Sequence, residues 1–390
     1  MKKALCAVLF LDLLALSYGI STLSISAYEA KIYFDNDSLT AFLAHLGTQI
    51  LGQNDFGLRL PFVFLHFISA ILLYLYALKI TKTQKDAFLS LLLFLLLPGT
   101  VASALCVNDA CIVIFLSLLI LCAYEYGFKK LFYLLLILAL FVDKSFGLLF
   151  LSLFFYALYK KNTPLLVITL ALFASCISLY EFDFAGKPKG YFLDTLGIFA
   201  ACFSPLVFIY YFYIIYRLAF KPKKPMLWFI MTTSFLFCLI LSMRQKLYLD
   251  EFLPFCVIST PLLISALMSS YRIRLPNLRM RYNVFISLSS VVLLLCYVVI
   301  IFNTFLYAFV ENPSKHFVYN YHIAKDIAQN LKEKGINRVQ TNSAMQLRLK
   351  FYGIKTSKSL KLERVKRKNL ADFTITLGKN DEHYALKKIQ

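Results

Sequence analysis

The sequence predicts an all-α polytopic membrane protein with about eleven transmembrane helices and a small C-terminal α/β domain. Three observations lead there. Hydrophobic residues make up 60% of the 390 and charged residues 16%, whereas soluble domains hold about 45–50% and about 25%, so polar surface is too scarce to cover a water-soluble globule. Apolar runs of the length needed to cross a ~30 Å hydrocarbon core, about 20 residues, recur through residues 1–310, while 311–390 reads as soluble. Lys and Arg collect in every second connection between those runs.

The runs lie at 4–22, 58–79, 87–106, 108–126, 131–143, 146–159, 164–180, 193–218, 226–243, 253–271 and 283–309. The polar break Asp143-Lys144-Ser145 separates two short runs and predicts two helices there. Of the 41 Lys and Arg, seventeen sit at Lys2-Lys3 and in the loops around 79–85, 129–130, 160–161, 217–224 and 272–281. Seven sit in loops of the other parity and seventeen in the tail. The positive-inside rule puts the first set in the cytoplasm. The N-terminus is then cytoplasmic, and an odd number of spans puts the tail on the outer side. Residues 1–27 loosely fit a cleaved signal peptide, but Asp12 within the apolar stretch favours a retained first helix.

The net charge of +20 does not signal nucleic acid, since the basic loops alternate as topology requires and membrane lipids are their partners. The nine Cys lie in or beside apolar runs with no metal-ligand spacing, so small buried residues are expected and no zinc site. The acids Glu29, Asp35, Asp37, Asp55, Asp109, Asp143, Glu181, Asp183, Asp194, Asp250 and Glu251 all fall in the outer connections. Acids contribute little to topology, so this bias points to an outer-face site. The outer loop 23–57 contains a predicted helix over 39–52, capped by Asp37 or Ser38, with Leu39, Phe42, Leu43, Leu46, Ile50 and Leu51 on one side. Such a helix lies on a membrane surface.

Four short patterns follow in order. They are Glu29 with Gly52, Phe56 and Arg59-Leu60-Pro61; Val107-Asn108-Asp109-Ala110; Val142-Asp143-Lys144-Ser145-Phe146; and Arg244-Gln245-Lys246-Leu247-Tyr248-Leu249 before Leu253-Pro254. Together they resemble the outer-loop motifs of GT-C membrane glycosyltransferases, of the lipid A aminoarabinose transferase and protein O-mannosyltransferase types, over about residues 23–270. Tyr28 stands where the family carries the first acid of a pair, and the third motif lacks the family's Gly and Pro.

The resemblance implies sugar transfer from a polyprenyl-phosphate donor to a lipid, glycan or protein acceptor. Such transfer needs a carboxylate to take the acceptor's proton and cations to stabilise the departing phosphate. Glu29 is the candidate base, with Asp35 or Asp37 as its rival. Arg59, Lys144, Arg244 and Lys246 are the candidate phosphate ligands, each standing at a helix end. Tyr248 is a candidate substrate contact. Asp109 and Asp143 would order these cations or hold a divalent cation through oxygen. A transporter or flippase of lipid-linked sugars would use the same phosphate site without a base, but the chain shows no internal repeat. A non-catalytic GT-C relative is the other alternative. In the tail, helices are expected over 318–334 and 343–352 and strands over 338–341, 372–377 and 384–389, with 361–368 a solvated basic loop.

Overall fold

The structure is a computed structural model that describes residues 2–36, 38–180, 190–246, 249–310, 313, 316–357, 359–365, 369 and 371–388. Eighteen α-helices run in chain order among the described residues: α1 (Lys2–Thr22), α2 (Ala27–Asp35), α3 (Leu39–Leu51), α4 (Asp55–Ile80), α5 (Gln84–Leu96), α6 (Pro98–Leu105), α7 (Asp109–Glu125), α8 (Lys129–Leu140), α9 (Phe146–Lys160), α10 (Thr163–Tyr180), α11 (Phe192–Phe203), α12 (Pro205–Ala219), α13 (Met226–Ser242), α14 (Leu253–Val257), α15 (Thr260–Ile273), α16 (Pro276–Ile301), α17 (Ala324–Glu333) and α18 (Ser343–Phe351). Three strands follow, β1 (Leu360–Val365), β2 (Phe373–Leu377) and β3 (Asn380–Lys388).

Each of the eleven apolar runs forms a helix or a broken pair. The stretches 2–22, 55–80, 163–180, 253–273 and 276–301 are long and apolar enough to cross a membrane singly. Two pairs qualify only together, α5 with α6 bent by 59° and α11 with α12 bent by 107°. Both breaks fall just before a proline, where the preceding residue is pushed out of the helical region. Leu97 is extended, and Ser204 takes φ +65, a conformation side chains rarely adopt. The remaining helices are shorter. At 1.5 Å per residue the 12 residues of α8 reach only about 18 Å, so this run falls short of a full crossing by itself.

The chain divides into two compact units. The first comprises 1–12, 64–104 and 108–297 and holds only helices and turns among its described residues, with one continuous apolar core. Here α9 packs on α10 and α13, α5 on α15, and α7 on α8 and α14. Most of α16 is exposed, including Val284, Leu288, Val291 and Leu295, as suits a helix whose solvent is lipid. Loops of one parity meet one another. Arg272 pairs with Asp86, Lys79 lies 4.5 Å over the Tyr126 ring, and Lys224 lies 5.7 Å over the Tyr159 ring, whose hydroxyl donates to the Pro222 carbonyl. Loops of the other parity meet at Lys144 and Glu251.

The second unit comprises 13–63, 105–107 and 298–390. Its α3 has the expected two-sidedness: Leu39, Phe42, Leu46, Ile50 and Leu51 are exposed, and Thr40, Ala41, Ala44, Gly47 and Thr48 are buried. The small face lets α3 lie hard against the start of α4. A Cβ on Gly47 would stand 2.2 Å from the Gly57 carbonyl oxygen and 2.6 Å from Pro61, so only glycine fits. The tail has its own apolar cluster, including Ile327, Leu331, Val339, Leu349, Ile354 and Ile375. Its sheet is antiparallel in the order β1-β3-β2.

The tail differs from expectation in four places, one being that its last strand starts at Asn380 rather than 384. The first helix starts at Ala324 rather than 318, because Ile323 takes φ +76 and a 3-10 turn precedes it. It ends as expected at Gly335, at φ +73, with Ile336 N–H returning to Leu331 O. The expected strand 338–341 makes only isolated bridges, Arg338 to Lys355 and Gln340 to Lys361. The stretch read as a basic loop is in part strand β1, in which Leu362 is buried and Lys361 and Glu363 pair in the open. Apolar alternation at Leu360 and Leu362 outweighs the charge density there.

Candidate functional site

In the second unit, Ser26 begins α2 with a capping box. Its side chain accepts from Glu29 N–H, and the Glu29 carboxylate accepts from Ser26 N–H at 2.9 Å. The same Oε2 receives Arg59 Nη2 at 2.8 Å, and Oε1 receives Val107 N–H at 2.9 Å. Arg59 also donates to the carbonyls of Leu23 and Ser24 at 3.1 and 3.0 Å and lies 3.8 Å from Asp55. Glu29 and Arg59 are both 0% exposed. Asp55 in turn accepts from Tyr352 at 2.6 Å and pairs with Lys325 at 3.0 Å. Arg348 donates to the carbonyls of Ile25 and His322, and burial holds its pKa below the usual range. Glu29 therefore has three N–H donors already in place. It can serve as a base only if that set opens; closed, it fixes the backbone of 23–29.

In the first unit, two turns of the other parity come together. Lys144 Nζ lies 2.6 Å from Glu251 Oε1, with the lysine 45% and the glutamate 26% exposed. Asp143 accepts from Ser145 N–H at 2.8 Å, which starts α9. Burial raises the pKa of Asp250 and of Glu251, and their mutual repulsion and that of Asp143 raise Glu251 further, against the pull of Lys144. Burial would lower the Lys144 pKa, but the Glu251 contact and the other two carboxylates outweigh it, so the ammonium persists. Helix α7, which has Asp109 in its first turn, packs against the 249–251 turn. A half-exposed ammonium beside carboxylates whose pKa burial raises is a setting for proton transfer.

The predicted residues are thus distributed over both units. Arg59 meets Glu29 in the second, and Lys144 stands in the acidic cluster of the first, where Asp109 starts α7. Arg244 and Lys246 are exposed in the turn after α13. Asp37 and Tyr248 lie outside the described residues. Among the described residues, no group of three or more His, Cys, Asp and Glu is placed to hold a metal. Sequence reasoning missed Glu251 and Asp250 as site residues, although they follow directly on the fourth motif. It also missed the second meaning of Ser26-x-x-Glu29, whose spacing is that of a capping box.

No family model and no curated protein sequence matches the chain. Among solved structures it is similar to ArnT from Cupriavidus metallidurans in the apo state, with a TM-score of 0.53 and 11% identity over 90% of this chain and 75% of that one. At that identity the likeness speaks for architecture, and it agrees with the helices, the broken spans and the small sheet. The chain therefore has an ArnT-like, GT-C-like polytopic membrane fold.

Proposed function

We propose that this protein is an inner-membrane glycosyltransferase that moves a sugar from a polyprenyl-phosphate donor to a lipid, glycan or protein acceptor at the periplasmic face, with residues 311–390 as a periplasmic domain. The observation that carries the reading is the Lys144–Glu251 pair at the junction of two motif turns. The ArnT-like fold and the order of the motifs support it.

In the proposed reaction a carboxylate takes the proton of the acceptor hydroxyl as its oxygen attacks the anomeric carbon. The bond from that carbon to the phosphate oxygen breaks, and the phosphate leaves with the electron pair. Lys144, Arg244 and Lys246 are the proposed cations that stabilise the departing charge, with Asp109 and Tyr248 as further binding candidates. Glu251 joins Glu29 and Asp37 as a candidate base. It has the advantage of being partly open and of a raised pKa, which makes it a stronger proton acceptor than an ordinary carboxylate. One observation favours a second reading, a non-catalytic relative: the sealing of Glu29 behind three donors.

The test is the glycan profile of envelope lipids and proteins from cells lacking the gene, complemented at equal abundance with wild type, Glu251→Gln or Lys144→Met. Loss of a base costs about 10²–10⁴ in rate, so the modification should return with wild type alone. Full rescue by both variants would remove this cluster from the chemistry. An unchanged profile in the deletion strain would favour the non-catalytic reading.

A further inference from the structure

The first unit contains an apolar cavity of about 330 Å³ that the reading above does not use. It lies between α5, α12, α15 and α16, and its walls run from Leu89 to Leu96 on α5 and from Phe285 to Leu293 on α16. At 1.5 Å per residue these walls are about 10 and 12 Å long, so the space is drawn out along the helices. Its polar lining side chains are Tyr210, Ser289 and Ser290, and the Tyr210 hydroxyl donates to the Leu263 carbonyl at 3.4 Å. The rest of the lining is aliphatic or phenyl. An apolar cavity stays dry, and an empty one forfeits dispersion contacts along its walls. The wall on α16 is loosely held: of residues 276–297 only Leu293 is buried. An apolar guest would complete packing that the protein leaves unfinished.

One end of the cavity lies beside the basic loops. Met268 stands four residues before Arg272, Phe285 four after Arg281 and Leu89 four after Lys85, which is one helical turn, ~6 Å along the axis, in each case. Asp86 is the one carboxylate in residues 79–86, 217–224 and 272–281, and Arg272 takes it. Arg274, Arg279 and Arg281 form no ion pair among the described residues. Arg274 lies 4.3 Å over the Tyr282 ring and Arg279 5.4 Å over that of Tyr271, contacts that orient a guanidinium without neutralising it. Ile273, Leu275 and Met280 are interleaved with these arginines and are exposed, the make-up of a segment that sits in a membrane interface.

We propose that this cavity holds one acyl chain of an anionic glycerophospholipid, drawn from the leaflet beside these loops, with the lipid phosphate on Arg274 and Arg281. An acyl chain matches the elongated, apolar space. Arginine suits the phosphate through its paired N–H donors. A basic segment at a membrane surface favours a headgroup with net negative charge over a zwitterionic one. The site is remote from the acidic cluster: residues 253–273 make one membrane-length span, with Glu251 just before one end and Arg272 at the other. The lipid is thus a fixed part of the fold that fastens α16 to α5 and α15, not a reactant. The proposal does not depend on glycosyl transfer.

The experiment is native mass spectrometry of the full chain released from detergent micelles and titrated with phosphatidylglycerol, phosphatidylcholine or a polyprenyl phosphate, beside thermal unfolding in the same mixtures. One phosphatidylglycerol should be retained per chain and raise the unfolding temperature, with phosphatidylcholine tenfold weaker or more. Arg274→Gln with Arg281→Gln should weaken phosphatidylglycerol to the level of phosphatidylcholine. Ser290→Phe, whose ring would occupy the cavity, should weaken both lipids. Ser290 and the two arginines are exposed, so the lipid-free unfolding temperature of each variant should not fall below the wild-type value, which shows it folded. Equal retention of the two phospholipids would overturn the headgroup, and retention undiminished in both variants would overturn the site. Polyprenyl phosphate held more tightly than phosphatidylglycerol, and lost with the same substitutions, would overturn the occupant.

Discussion

Replacing Glu29 by Gln separates a structural carboxylate from a catalytic one. The substitution keeps shape but leaves one acceptor oxygen where two now receive Ser26 N–H, Arg59 and Val107 N–H. The new amide N–H₂ must face one of those donors. Breaking one partner of a buried ion pair costs about 3–5 kcal/mol, and a stranded buried donor adds about 1–3 kcal/mol. Asp55 at 3.8 Å still offsets part of the Arg59 charge, so the lower ends of both, about 4 kcal/mol in all, are expected. Against typical stabilities of about 5–15 kcal/mol that loss should lower both abundance and unfolding temperature. The assay measures these two quantities beside transfer per molecule. The expected pattern is a less stable protein with per-molecule activity close to wild type. Arg59→Met should be at least as damaging, since it leaves the carboxylate buried without its cation, and the double variant Glu29→Leu/Arg59→Met should recover part of the loss. Full stability together with a ~10²–10⁴ drop in turnover would refute the structural account and return Glu29 to the role of base.

Three other outcomes are expected. Gly47→Ala should destabilise by about 1–3 kcal/mol through overpacking, because its Cβ would meet the Gly57 carbonyl at 2.2 Å; Ala44→Gly on the same face, measured by thermal unfolding, should not show a clash. The His322 pKa is about 4 when folded against an ordinary value of 6.5, so the unfolded chain takes up the proton first as pH falls. Its contribution is present above pH 6.5 and lost between 6.5 and about 4, worth on the order of 3 kcal/mol; the stability of His322→Gln should vary less over that window. Phe42→Asp with Ile50→Asp on the exposed face of α3 should weaken sedimentation of a peptide spanning 38–52 with anionic lipid vesicles by tenfold or more, whereas Thr40→Ser on the other face should leave it unchanged.

Much of this was legible from residue spacing. Apolar run length located the helices and broken pairs of the eleven runs, because in a membrane the backbone must satisfy itself within the segment, whereas α2, which has no such run, was not foreseen. The two-sidedness of α3 followed from Leu39, Phe42, Leu46 and Ile50. The acidic cluster was only half legible: Asp143 and Lys144 stood out as a polar break, but Glu251 gains meaning only from the packing that delivers it to Lys144. Glu29 shows the opposite difficulty. Its sequence neighbourhood fits two roles, a family carboxylate and the last member of a capping box, and spacing alone does not separate them. Strand β1 was obscured because its charged positions face solvent, where charge does not oppose a strand. The turn at Ile323 has no sequence signal, since a β-branched residue argues against the conformation it adopts.

The convergence on Glu29 and its neighbours has a consequence for the order of biogenesis. The groups that meet there are far apart in the chain: Arg59 lies 30 residues from Glu29, Val107 lies 78, and the Arg348 that holds the Ile25 carbonyl lies 323 from it. A ribosome delivers them in that order. When loop 23–57 first leaves the insertion machinery, its acid has a cation but the second carboxylate oxygen still lacks its amide, and the Ile25 carbonyl waits until nearly the whole chain has been made. Until then these groups keep water as their partner, which holds the loop at the lipid boundary. Completion of this unit is thus a late event, gated by synthesis of the tail. Chains truncated before residue 348 should insert their helices yet leave loop 23–57 open to protease, and full-length chains should protect it.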